Sequence, residues 1–168
     1  MIRRFLDFFE LRENCWFPLE IHGIPAEEHA LVLDNEHVTI TSTPVNHSPN
    51  IPTYGVKIYS KASGKSMVYS SDTSYSERLI RLAQGADLLF HECAGLSYQP
   101  IPPIHSNAIQ AGKVAKETRC QKLVLLHLDT VLNDNPQEIL AEVRQHFPGE
   151  SVIASDFDEY LLFQDVAS

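Results

Sequence analysis

The chain has 168 residues, of which 43% are hydrophobic and 21% charged, with a formal net charge of −9. That length suits one domain burying roughly two-thirds of its unfolded surface. The acidic balance argues against a broad basic surface for nucleic acid such as RNA. It leaves a phosphate-bearing substrate open, because bound divalent metal adds positive charge that a formal count omits.

The three cysteines, Cys15, Cys93 and Cys120, are far apart and form no CxxC pair. They read as free thiols of a reducing compartment, so a cytoplasmic location is the expectation. Basic residues precede apolar ones at the start, Met1 to Glu10. Asp7 and Glu10 interrupt that run and no small-residue cleavage site follows, so it does not read as a signal peptide. No stretch approaches the roughly 20 apolar residues that span a bilayer, and no membrane partner is expected.

In chain order, residues 2–11 place Ile2, Phe5, Leu6 and Phe9 on one helical face. Phe17–Ile24 and His29–Leu33 read as strands around Gly23 and Pro25. Val38–Thr43 is rich in β-branched residues and predicts a strand. Ser48 to Pro52 holds two prolines without amide donors and must be a loop. Tyr54–Ser60 and Ser66–Ser71 flank a turn at 61–65 and predict a hairpin. Ser76 is placed to cap a helix reaching about Ala83, which Gly85 ends. Ala86–Phe90 predicts a short strand, and Ser97–Pro103 is irregular. Ser106 is expected to cap a helix from Asn107 to about Thr118. Lys122–Leu126 is continuously apolar after its first residue, as in a strand buried on both faces. Pro136 opens a helix with Ile139, Leu140, Val143 and Phe147 inward. Val152–Ala154 and Tyr160–Phe163 close the chain as strands. The fold class is therefore α/β, hairpins first and strand–helix alternation after.

Five apolar runs stop at, or lead into, residues able to bind a metal or move a proton: His47, Asp72, His91-Glu92, His105 and His127. Loops beyond the carboxyl ends of strands in an open α/β sheet gather along one edge, where ligands bind. Residues distant in sequence can share one pocket there. Imidazole nitrogen and carboxylate oxygen both suit zinc. A histidine near pKa 6.5 can donate a proton near neutral pH, and a hydrogen-bonded carboxylate raises its basicity.

The five segments carry a resemblance. They are His47 followed by Thr53-Tyr54-Gly55-Val56-Lys57-Ile58, then Tyr69-Ser70-Ser71-Asp72-Thr73, Leu89-Phe90-His91-Glu92-Cys93-Ala94, Ile104-His105-Ser106-Asn107-Ala108-Ile109-Gln110-Ala111 and Leu125-Leu126-His127-Leu128. In this order they resemble the second half of the metallo-β-lactamase superfamily and look most like its ribonuclease Z and phosphodiesterase branch, across roughly residues 36–165. The resemblance implies part of an αβ/βα sandwich, mainly its second half. It implies a single domain over 1–168, the carboxy-terminal portion of a larger hydrolase. Carried over by position, it makes His47 a ligand of one zinc, His127 a ligand of a second, and Asp72 the carboxylate bridging both. His105 becomes the general acid that protonates the leaving oxygen, and Glu92 the carboxylate that orients it. Two zinc ions, with manganese as the alternative, would activate a water against a phosphodiester.

Two departures accompany it. The family's His-x-His-x-Asp-His motif is absent; His22, His29 and His37 are spaced seven and eight apart and lack its compactness. His47, Asp72 and His127 are enough donors for one zinc, yet the family divides the two histidines between metals, so weak or absent metal binding is expected of the chain alone. Leu128-Asp129-Thr130-Val131 replaces a Ser-Arg-Tyr-like continuation, and no long basic arm for transfer RNA is visible. An unspecified phosphodiester or related ester is therefore the expected substrate. A lactonase or thioesterase of the same superfamily is one alternative. The other is a non-catalytic remnant whose exposed sheet edge pairs with a second copy as a homodimer.

Plainer readings cover the remaining candidates. His22, His29, His37 and His146 suit surface or structural positions. His91 suits a satisfied core histidine, and Cys93 a buried inert thiol. Asp129, Asp156 and Asp158 suit turns, and Asp72 taken alone would too.

Overall fold

The computed structural model describes residues 22–129 and 135–162. The expected helix at 2–11 and most of the expected strand at 17–24 lie outside the described residues, and 22–24 are not strand. Seven strands form one sheet in chain order: β1 Ala30–Asp34, β2 Val38–Pro44, β3 Tyr54–Ser60, β4 Ser66–Tyr69, β5 Leu88–Glu92, β6 Lys122–Leu126 and β7 Glu150–Ile153. Strands β1 to β4 pair antiparallel. From β4 to β7 every pair is parallel.

This direction pattern positions the site. β2 and β4 are each antiparallel to β3, so they run the same way, and β5, β6 and β7 follow β4. The carboxyl ends of β2, β4, β5, β6 and β7 therefore open at one edge of the sheet, as ligand-binding α/β sheets require.

Three helices were identified among the described residues: α1 Glu77–Leu82, α2 Ala108–Thr118 and α3 Pro136–Arg144. They cover one sheet face. Val68, Leu89 and Leu123 lie in register across β4, β5 and β6, so they share that face. They form one buried cluster with Leu79 and Leu82 of α1, Ala111, Val114 and Ala115 of α2, and Ile139 and Val143 of α3. Each fully buried leucine or valine contributes about 1.5–3 kcal/mol by removal from water. At Gly112 α2 lies close against α3: a Cβ built there would lie 2.6 Å from the Val143 carbonyl oxygen. The opposite face, with Ile40, Val56, Ile58, Met67 and Phe90, is half-buried.

Helix ends follow local chemistry. Ser76 caps α1 by accepting from the Leu79 amide. α2 is capped by Asn107, not by Ser106 as the sequence suggested: Asn107 and Gln110 form a reciprocal capping box. The Ser106 hydroxyl is used elsewhere, in the site. α3 starts at Pro136, whose missing amide costs nothing in the first turn.

Four strands depart from expectation by two residues or more, the first being β4, which ends at Tyr69 rather than Ser71. β5 is displaced by two residues and takes in His91 and Glu92, both buried. β7 begins at Glu150 and ends at Ile153. Residues 160–162 are not strand; Tyr160 instead packs edge-on against Phe90, ring centroids 5.3 Å apart, and Phe163 lies outside the described residues.

Candidate metal and acid–base centre

The loops beyond β2, β4, β5 and β6 each deliver one candidate side chain to this edge. Beyond β4, Ser71 has φ 54, a left-handed conformation, and its hydroxyl donates to the Tyr54 carbonyl at 2.7 Å. Beyond β6, His127 itself has φ 57. For residues with a Cβ this conformation costs roughly 1–2 kcal/mol. Such strain concentrates where structure serves a site. It turns Asp72 and His127 out of the strand lines and towards each other. His127 Nε2 lies 3.7 Å from Asp72 Oδ2, with both side chains partly open to solvent.

His105 enters from the loop between β5 and α2. Its ring stacks on His127, centroids 5.3 Å apart and planes 30° apart. The His47 ring meets it edge-on at 5.0 Å. The His47 Nδ1 lies 3.2 Å from the Ile104 carbonyl oxygen, which suits donation from Nδ1 and leaves Nε2 outward. One ligand atom each from Asp72, His105 and His127 lies within 4.8 Å of the others; His47 is outside that set. The sequence-derived grouping of His47, Asp72 and His127 thus differs from the tightest cluster by one residue, because His105 stands between His47 and His127.

Beneath the cluster sits Glu92, 1% exposed. Its Oε1 accepts from His105 Nδ1 at 2.9 Å and from the Thr73 amide at 2.6 Å, and its Oε2 accepts from the Ser106 amide at 3.1 Å. Burial pushes the Glu92 carboxyl above the usual carboxylate range, while the Thr73 and Ser106 amides and His105 oppose that shift. With Nδ1 committed to Glu92, the remaining His105 nitrogen is Nε2.

Hydroxyl residues tie the loops together, and these the sequence reading did not identify. The buried Thr73 accepts from the Asn46 amide through Oγ1 at 3.1 Å, and its carbonyl accepts from the Ser106 hydroxyl at 2.7 Å. The Glu92 amide donates to Ser70 Oγ at 3.0 Å. Thr73, Ser106 and Asn46 are the immediate chain neighbours of Asp72, His105 and His47. The available signal was this adjacency of short polar residues to each candidate. Asp129, read as a turn residue, lines a cavity of about 250 Å³ with Ala94, Pro102, His105, His127 and Leu128.

His91 points into the core. Its Nδ1 donates to the Glu92 carbonyl at 2.6 Å, while Nε2 is buried with no partner among the described residues. It is thus half-satisfied, and burial lowers its pKa to about 4. Cys93 is fully buried, and burial raises its thiol to about 12, which makes it inert. His22, His29 and His37 are exposed.

A family model described as the beta-lactamase superfamily domain matches residues 1–128. The chain belongs to the beta-lactamase superfamily. Its mixed sheet and helices have the metallo-β-lactamase fold: the metallo-beta-lactamase fold protein YhfI from Bacillus subtilis superposes with a TM-score of 0.67 at 27% identity, over 86% of this chain and 56% of that one. Ribonuclease Z of Archaeoglobus fulgidus is 32% identical over 100 residues, 58% of this chain and 32% of that protein. Ribonuclease Z of a Synechococcus species is 39% identical over 101 residues, 56% of this chain and 31% of that protein. The chain thus aligns with about a third of the length of these curated relatives. Among the described residues, no helix is long and apolar enough to cross a membrane.

Proposed function

We propose that this superfamily member is the carboxy-terminal portion of a ribonuclease Z-like, metal-dependent phosphodiester hydrolase. The observation that carries the reading is the His105–Glu92 pair, 2.9 Å apart, set beside Asp72 and His127 at the sheet edge. The relatives named ribonuclease Z support the substrate class.

The donor set fits a divalent ion: two imidazoles and a carboxylate, turned to one side of the sheet, are zinc-type ligands. In the complete centre His47 and His127 would each serve one zinc and Asp72 both, with manganese as the alternative metal. Such ions supply Lewis acidity and lower the pKa of a water to near neutrality. The chain's own contribution is proton transfer. Glu92 accepts a hydrogen bond from His105 Nδ1–H and stabilises the imidazolium, which keeps that proton. Nε2 then carries the proton delivered to the leaving oxygen of the ester. Thr73 and Ser106 hold Glu92 from both oxygens, so the imidazole plane is fixed before substrate arrives.

Hydrolysis of bis(p-nitrophenyl) phosphate tests the reading. The chain is joined to an amino-terminal segment bearing the His-x-His-x-Asp-His motif and loaded with zinc or manganese. Turnover that is lost in His105→Ala supports the proposal; no turnover with metal fully loaded overturns it.

A further inference from the structure

We infer that the 168-residue chain by itself holds a single divalent cation, and that His105 is one of its ligands. The site consists of Asp72, His105 and His127, with His47 outside it. The inference rests on reading this cluster as a metal centre, and it is independent of the reaction proposed above.

The first support is distance. Donors about 2.0–2.2 Å from a tetrahedral zinc-sized ion are about 3.3–3.6 Å apart. The ligand atoms of Asp72, His105 and His127 are within 4.8 Å of one another. His127 Nε2 and Asp72 Oδ2 are already 3.7 Å apart; closing the rest takes side-chain rotation of up to about 1.5 Å, for which His127 is exposed enough. His47 does not meet the same separation.

The second support lies behind the ligands. A metal-bound imidazole almost always donates its other N–H to a carboxylate or carbonyl, which fixes its tautomer and raises its basicity. His105 has that arrangement, with Nδ1 on the buried Glu92 carboxylate, which leaves Nε2 as the nitrogen available to an ion. One nitrogen thus serves two purposes. In a complete dinuclear centre it is the proton donor; with one ion on this chain it is a ligand and has no proton to give. The chain alone therefore binds metal without hydrolysing esters.

The test uses the ¹⁵N-labelled chain and cadmium-113, a spin-active substitute for zinc. At one equivalent, through-bond ¹¹³Cd–¹⁵N coupling is expected at the imidazoles of His105 and His127 and not at His47. Calorimetry with zinc gives one ion per chain, unaffected by His47→Ala and weakened 10–100-fold by Glu92→Gln, the usual effect of removing a partner behind a ligand. Coupling at His47 without His105 overturns the inference, as does the absence of stoichiometric binding. Hydrolysis enters neither readout, so failure here leaves the hydrolase reading standing, and failure of the ester assay leaves this one standing.

Discussion

Glu92 and His105 are joined by a 2.9 Å hydrogen bond between a fully buried carboxylate oxygen and an imidazole at the edge of solvent. Burying a charge is costly unless hydrogen bonds compensate. Glu92 has three, two of them from backbone amides that cannot titrate. A carboxylate held this way is a fixed reference against which the imidazole is aligned.

In the metal-loaded hydrolase, His105→Ala is expected to lower kcat for phosphodiester cleavage by about 10²–10⁴-fold, the usual contribution of a general acid. Glu92→Gln is expected to act in the same direction but less, lowering kcat with little change in KM. The leaving group distinguishes acid catalysis from mere support: the loss in His105→Ala is expected to shrink for esters whose leaving oxygen needs no proton.

His91 makes stability depend on pH. Its folded pKa of about 4 lies below the ordinary value of 6.5 because burial disfavours the cation. The unfolded chain then binds more protons than the folded one between those values, so stability falls as pH drops from about 6.5 to about 4. The loss is on the order of 3 kcal/mol at 1.36 kcal/mol per pH unit. Urea denaturation at pH 7 and pH 5 should show a smaller difference in His91→Leu than in the native sequence. An equal difference would place the titrating group elsewhere.

Gly112→Ala is expected to destabilise despite alanine's better helix propensity. The added Cβ would meet the Val143 carbonyl oxygen at 2.6 Å and its Cα at 3.1 Å, both backbone atoms. Overpacking costs about 1–3 kcal/mol, against a propensity gain of about 1 kcal/mol. A lower melting temperature supports this close crossing of α2 and α3; a higher one contradicts it.

Thr73→Val keeps the shape of a buried side chain and removes its hydroxyl. The Asn46 amide loses the acceptor it has at 3.1 Å; because Asn46 is exposed, the cost is expected to be below the about 1–3 kcal/mol of a buried unsatisfied donor. Because Asn46 precedes His47, amide exchange at 46 and 47 should quicken. Unchanged exchange would show that Thr73 does not hold this loop.

Much of the sheet could be read from pattern. β3 matches its expected bounds at both ends and β6 likewise, because β-branched or apolar runs there are bounded by clear turn residues. β5 was misplaced because its last two residues are His91 and Glu92, whose polarity argues for a strand end while the core takes both in. Ser106 and Asn107 are both good caps. The Asn107–Gln110 spacing was in the sequence, but the competing use of Ser106 against Thr73 is set by tertiary contact. His47, Asp72, His91-Glu92 and His127 could be named from positions at or past strand ends, and His105 from the short apolar step before it; Glu92 was singled out from His91 by the resemblance. The order in which they stand, with His105 between His47 and His127, depends on the path of the loop from 93 to 107 and could not.

The central claim is that Asp72, His105 and His127 converge to bind a divalent ion rather than pack as unrelated surface groups. Anomalous diffraction at the zinc edge, from crystals of the chain grown with one equivalent of zinc, tests it most directly. The expected result is one strong peak about 2.0–2.2 Å from an Asp72 oxygen, a His105 nitrogen and a His127 nitrogen. Full occupancy elsewhere, with no peak among those three side chains, would contradict it.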